Sequence, residues 1–114
     1  MTGLTEAQLE QLADGSRDPV VTDGDKYKVV LENDQVRVLE YRDSPGQRTS
    51  PHFHPEYVLC ALTSFRRRFL MPGGVDVVRD VSAGAVVPGK AQSHVGENVG
   101  ETDTHVLIVE FKGR

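Results

Sequence analysis

Three histidines carry the chemistry this sequence can offer: His52, His54 and His94. His52 and His54 stand two apart in a segment, 49–54, that reads as a strand. Strand side chains alternate between faces, so both imidazoles point the same way and can reach one point in space. Neutral imidazole is a good ligand for zinc, iron, copper and nickel, and it also suits manganese. A His-x-His pair on its own is a weak signal. The remaining histidine, His105, sits near the start of the last strand and reads as an ordinary strand residue.

The elements that must position these side chains are short strands. From Tyr27 onward, β-rich runs alternate with turn signals at the spacing of a sandwich or barrel. The runs cover 27–32, 36–42, 49–54, 57–62, 65–71, 75–81, 85–87, 92–97 and 105–111. Turns fall at Asn33-Asp34, Ser44-Pro45-Gly46, Pro72-Gly73-Gly74 and Pro88-Gly89-Lys90. The 6 prolines and 11 glycines of the 114 residues fit a chain of many tight turns. A closed or double-sheet architecture removes the edges that so many strands would otherwise expose. Ahead of the strands, 5–13 reads as a short helix capped by Thr5, with Leu4, Leu9 and Leu12 on its apolar side and Gly15 and Ser16 at its end. The stretch 14–25, with a β-type patch at Val20-Val21-Thr22, reads as an arm lying against the body. The expected division is an arm over 1–25 and a barrel domain over 26–114.

Two spaced patterns contain the histidines: Gly46-x5-His52-x-His54-Pro55 and Gly84-x9-His94-x3-Asn98. They are framed by Asn33-Asp34-Gln35-Val36-Arg37-Val38-Leu39-Glu40 at one end and by the run from Glu97 to Lys112 at the other. Together these segments resemble the two motifs and the flanking strands of the cupin superfamily, closest to its small single-domain bacterial members. The resemblance covers Tyr27 to about Lys112. It implies an all-β fold, the double-stranded β-helix or jelly-roll barrel, here with a short N-terminal helical arm. It also implies one divalent metal ion (Fe, Zn, Ni or Mn) in the barrel mouth, with His52, His54 and His94 matching the three histidine ligands. The family's usual fourth ligand is a glutamate a few residues after the second histidine, and this chain departs there with Pro55-Glu56-Tyr57. If Tyr57 takes the glutamate's position, the site has three histidines and open positions; if the backbone shifts by one residue, Glu56 can ligate. The second motif departs too, with Val87-Pro88-Gly89-Lys90 where relatives carry a tryptophan or other large residue.

Other residues are weighed against blander roles. Arg66-Arg67-Arg68 puts one arginine, Arg67, on the face opposite its neighbours, either in a local ion pair or as a clamp for a substrate carboxylate. Arg37 and Arg42 have Glu40 and Glu110 as available partners. Gln92, two before His94, shares its face and can serve as a hydrogen-bonding neighbour of the metal or substrate. Tyr57 and Asn98 are candidates for the same pocket. The lone cysteine, Cys60, lies in an apolar run and reads as a small buried hydrophobe.

The net charge of −4 argues against nucleic acid as a partner, because phosphate binding needs a clustered positive surface. No signal peptide, membrane-spanning run or disulfide framework is visible, which makes a cytoplasmic location and no membrane partner the expectation. A homodimer is expected by analogy with cupins. The leading functional expectation is a metal-dependent enzyme acting on a small organic molecule, dioxygenase-like first, with isomerase, cyclase or lyase chemistry close behind. The alternative is a non-catalytic cupin that binds a metal or small ligand.

Overall fold

In the computed structural model, which describes residues 3–113, nine strands form two antiparallel sheets. The strands are β1 (Tyr27–Glu32), β2 (Val36–Asp43), β3 (His52–His54), β4 (Tyr57–Ala61), β5 (Phe65–Met71), β6 (Val75–Val81), β7 (Val86–Gly89), β8 (Gln92–Asn98) and β9 (Thr104–Phe111). One sheet runs β1-β2-β9-β4-β7 and the other β3-β8-β5-β6. The inner faces meet over a core built from Tyr27, Leu39, Tyr41, Ala61, Phe65, Val106 and Ile108. Alternation is clean in β9, where Thr104, Val106, Ile108 and Glu110 are buried and the residues between them are half-buried. The motif glycines Gly46 and Gly84 both take φ of 87°, a left-handed turn conformation that a side chain disfavours. Among the described residues no helix is long and apolar enough to cross a membrane.

Two strands depart from the sequence pattern by more than one residue at an end, for identifiable reasons. The strand expected over 49–54 pairs in its ladder only from His52. Pro51 has no N–H to give, and the Ser50 N–H goes to the Asp23 carboxylate at 2.9 Å. The strand expected over 85–87 extends through Pro88 to Gly89, which is possible because β7 is an edge strand and an edge tolerates a proline.

The N-terminal segment folds as two helices, α1 (Glu6–Asp14) and α2 (Pro19–Thr22). Thr5 and Gln8 form a reciprocal capping box at the start of α1, and Gly15 ends it in a left-handed conformation. The β-type patch at Val20-Val21-Thr22 is helical instead. Pro19 presets the first helical φ, and the Asp18 side chain accepts from the Val20 N–H at 3.0 Å. These local signals outweigh the β preference of a valine, Val21, that is exposed and packs against nothing that would enforce a strand.

The arm covers two parts of the second sheet. Leu12 of α1 is buried against Leu70 and Val95, on the outer face of β5 and β8. The Arg17 carbonyl accepts from the Phe53 N–H at 2.6 Å, so the chain between the helices closes the free edge of β3. Leu12→Ala is therefore expected to cost about 2–5 kcal/mol in a urea unfolding curve. Leu9→Ala, on the exposed side of the same helix, is expected to change the midpoint little.

Candidate metal centre

The pairing of β3 with β8 sets His52 directly opposite His94, and His54 opposite Gln92. The register puts all three imidazoles on the inner face. Ring centroids are 4.7 Å apart for His52 and His94, 4.8 Å for His52 and His54, and 5.2 Å for His54 and His94. One ligand atom from each ring lies within 4.8 Å of the others, and all three side chains are buried.

Each ring has its Nδ1 already committed. His52 Nδ1 donates to the Ser50 carbonyl at 2.8 Å, and His54 Nδ1 to the buried Glu110 carboxylate at 2.7 Å. His94 Nδ1 is 2.9 Å from Gln92 Oε1. Gln92 Nε2 donates to the Lys90 carbonyl, which turns the amide oxygen towards the ring. With Nδ1 committed in each ring, Nε2 is the atom left to face a metal. Burial drives the His52 pKa down to about 3, helped by neighbouring His54, and burial also holds His94 well below the usual histidine range. Both rings are therefore neutral at physiological pH. Three buried imidazoles, each offering one ligand atom within 4.8 Å of the other two, are a donor set that zinc and the late first-row metals accept, so the triad is placed to hold a metal ion.

Tyr27 belongs to the same cluster, and nothing in the sequence pattern singles it out. It opens β1, and its hydroxyl lies 3.2 Å from His52 Nε2 and 3.5 Å from His54 Nε2. Burial raises its pKa well above the ordinary phenol range, so it stands as a neutral hydroxyl beside the Nε2 atoms of His52 and His54. Glu110 is the other participant with a larger part than the sequence suggests. It joins His54 to Arg37, which in turn makes a two-pronged contact with Asp18 of the arm at 2.9 and 3.0 Å. Of the remaining pairs raised by the sequence, Arg42 lies 3.4 Å from Glu40, and His105 lies 2.7 Å from the same carboxylate, far from the triad.

The other candidate residues divide. Glu56 is exposed in the turn between β3 and β4 and is not part of the histidine cluster. Tyr57 lies over His54 with ring centroids 5.5 Å apart, and burial raises its pKa while Arg79 opposes the rise. Gln92 holds His94, as described. Arg67 points inward, where its guanidinium donates to Asp43 at 2.7 Å and to the Tyr41 hydroxyl at 2.7 Å. A side chain at Gly96 would meet that guanidinium at 2.8 Å. Asn98 is buried away from the cavity: its amide donates to Asp43 and to the Thr102 carbonyl, and its oxygen accepts from Gly100 N–H. It stitches the loop after β8. Cys60 is half-buried on the face of β4 opposite Tyr57 and Leu59.

The space around the triad has two levels. An inner cavity of about 40 Å³, bounded by His54, His94, Tyr27, Tyr57 and Phe69, has room for waters but not for an organic molecule. Above it, sharing Tyr57, Leu59, Phe65 and Phe69, opens a mouth of about 410 Å³, the size of a small-ligand site.

Two facing antiparallel sheets with a buried histidine triad at the open end define a double-stranded β-helix. No protein-family model matches the sequence, and the search of curated proteins found no match. Solved structures do match. A cupin domain from Bordetella pertussis Tohama I is 26% identical with a TM-score of 0.70, over 76% of this chain and 92% of that one. An uncharacterized conserved protein with a double-stranded β-helix domain from Klebsiella pneumoniae is 22% identical with a TM-score of 0.61, over 90% and 88%. The polyketide cyclase RemF from Streptomyces resistomycificus is 19% identical with a TM-score of 0.57, over 75% and 63%. The chain belongs to the cupin superfamily.

Two outcomes follow from this geometry. The depressed pKa of His52 means that unfolding takes up a proton between about pH 6.5 and pH 3. Its neutral burial therefore favours the fold fully above the unfolded value and less as pH falls, by up to about 1.4 kcal/mol per pH unit in that window. Urea midpoints of EDTA-treated protein should drop between pH 7.5 and 5.5, and drop less in a His52→Gln variant. Separately, Glu110→Gln removes the carboxylate that orients His54 and is expected to weaken zinc binding about 10–100-fold in a competition titration with a chromogenic chelator.

Proposed function

We propose that this cupin is a metal-dependent enzyme acting on a small organic molecule, with His52, His54 and His94 holding one divalent metal ion. The observation that carries the reading is the arrangement of the three rings: every Nδ1 is satisfied by a different partner, and one ligand atom of each buried ring lies within 4.8 Å of the other two. A histidine that only fills a core needs no such common orientation. When bound, a metal with three protein ligands would supply Lewis acidity, or with iron the activation of dioxygen. Dioxygenase-type chemistry is the first assignment, and isomerase, cyclase or lyase chemistry the next; the fold shared with a polyketide cyclase supports a small organic substrate without choosing among them.

The chain's own residues have separable tasks. Ser50, Glu110 and Gln92 fix the tautomer and aim of the rings. Tyr57 and Phe69, flanking His54 and His94, narrow the passage from the mouth and keep bulk water from the inner cavity. The inner volume admits only the reacting end of a substrate, so the body of the molecule rests in the mouth. The Tyr27 hydroxyl holds a proton beside the reacting end.

Metal content of tag-free protein, measured by plasma mass spectrometry, tests the reading. Near-stoichiometric metal in the wild type and none in a His52→Ala/His94→Ala double variant is the expected result. Iron would direct the search to oxygen chemistry, and zinc or nickel to Lewis-acid chemistry. A wild type that stays metal-free after reconstitution with Fe²⁺, Mn²⁺, Ni²⁺ and Zn²⁺ would sink the assignment.

A further inference from the structure

The mouth above the triad has an unusual charge content for this protein. The chain is acidic overall, and its cations are almost all neutralised. Among the described residues every arginine and lysine except Lys28, Arg79 and Lys90 makes an ion pair with a carboxylate. Two of those three, Arg79 and Lys90, line the mouth. No aspartate or glutamate lines it; the rest of the wall is apolar or aromatic apart from Gln92.

The placement follows from strand register. Arg79 of β6 stands directly opposite Arg67 of β5, so both belong to the inner face. Arg67 lies deep and is neutralised by Asp43 at 2.7 Å, whereas Arg79, nearer the open rim, has no carboxylate partner. Lys90 follows β7 on the other sheet, so the two cations reach the opening from both sides. Below them lie Tyr57, Phe69 and Gln92, and then His94.

We propose that the mouth takes a small organic carboxylate whose anionic group is held by Arg79 and Lys90 and whose apolar body rests on Tyr57, Leu59 and Phe69, with its far end towards the histidines. A guanidinium and an ammonium over an apolar wall recognise this pairing of charge with hydrocarbon. The inference rests on the reading of the triad as the reactive centre for its orientation, but not for the binding of the anion.

Ligand-observed and protein-observed NMR titrations test it, using benzoate, phenylacetate and 2-oxopentanoate beside their primary amides. Each is run on zinc-loaded and on EDTA-treated protein, so that coordination by a metal is separated from capture at the rim. The acids are expected to bind at millimolar concentration or better in both states and to shift the signals of Arg79, Lys90 and Tyr57, with the amides at least tenfold weaker. An Arg79→Gln/Lys90→Gln double variant should weaken acid binding by roughly tenfold or more, as loss of charge-assisted hydrogen bonds would. Lys28→Gln, removing the third unpaired cation on the far edge strand, should leave it unchanged. Amides binding as well as acids, no acid binding at all, or equal loss from Lys28→Gln each overturn the proposal. Failure to load zinc with acid binding intact would instead overturn the metal assignment and leave this one standing.

Discussion

The register of β3 against β8 is the constraint on which the rest depends. His52 and His94 meet because they are direct partners in that ladder, and a slip of one residue would turn one of them to the opposite face. A strand of three residues cannot hold its own register, so the neighbours hold it. Thr49 bonds to Gly96 twice, through its N–H to the carbonyl and through its hydroxyl from the N–H. Asp23 grips Ser50 from one side, and the Arg17 carbonyl grips Phe53 from the other. The arm, which resembles packaging in the sequence, thus takes part in aligning the triad.

Polar groups inside the barrel are arranged as completed chains. One runs from Asp18 through Arg37 and Glu110 to His54; a second joins Asp43, Arg67, Tyr41, Asn98 and Thr104. Among the described residues no buried side-chain nitrogen or oxygen lacks a partner. Such chains add little net stability compared with an apolar filling, but removing one member strands a buried charge. What they supply is direction: each fixes a side chain that would otherwise have several rotamers.

Much of this was legible in the sequence, and the limits have physical causes. Alternating β-rich runs marked β1, β5 and β6 to the residue, because turn signals bracket them on both sides. The i, i+2 spacing of His52 and His54 showed that they share a face, and alternation likewise separated Arg67 from Arg66 and Arg68. Tyr27 and Glu110 could not be seen, since each meets the histidines only through strands far apart in the chain. The Val20-Val21-Thr22 patch misled because a capping aspartate and a proline act locally, whereas β propensity acts only through neighbouring strands. Asn98 has the spacing of a pocket residue, but its amide is consumed by the loop that follows it.

The backbone at Gly89 passes directly beneath the Tyr57 ring; a Cβ there would sit 2.1 Å from Cζ. The width of the passage to the histidines is thus set by the absence of a side chain on β7. Position 89 cannot be graded through alanine, serine and larger residues, because the first added carbon already requires the ring to leave. Aperture at this point is a two-valued property of the chain. A cupin with the ring in place and a cupin with the ring expelled would be different filters for ligand shape, separated by one methyl group.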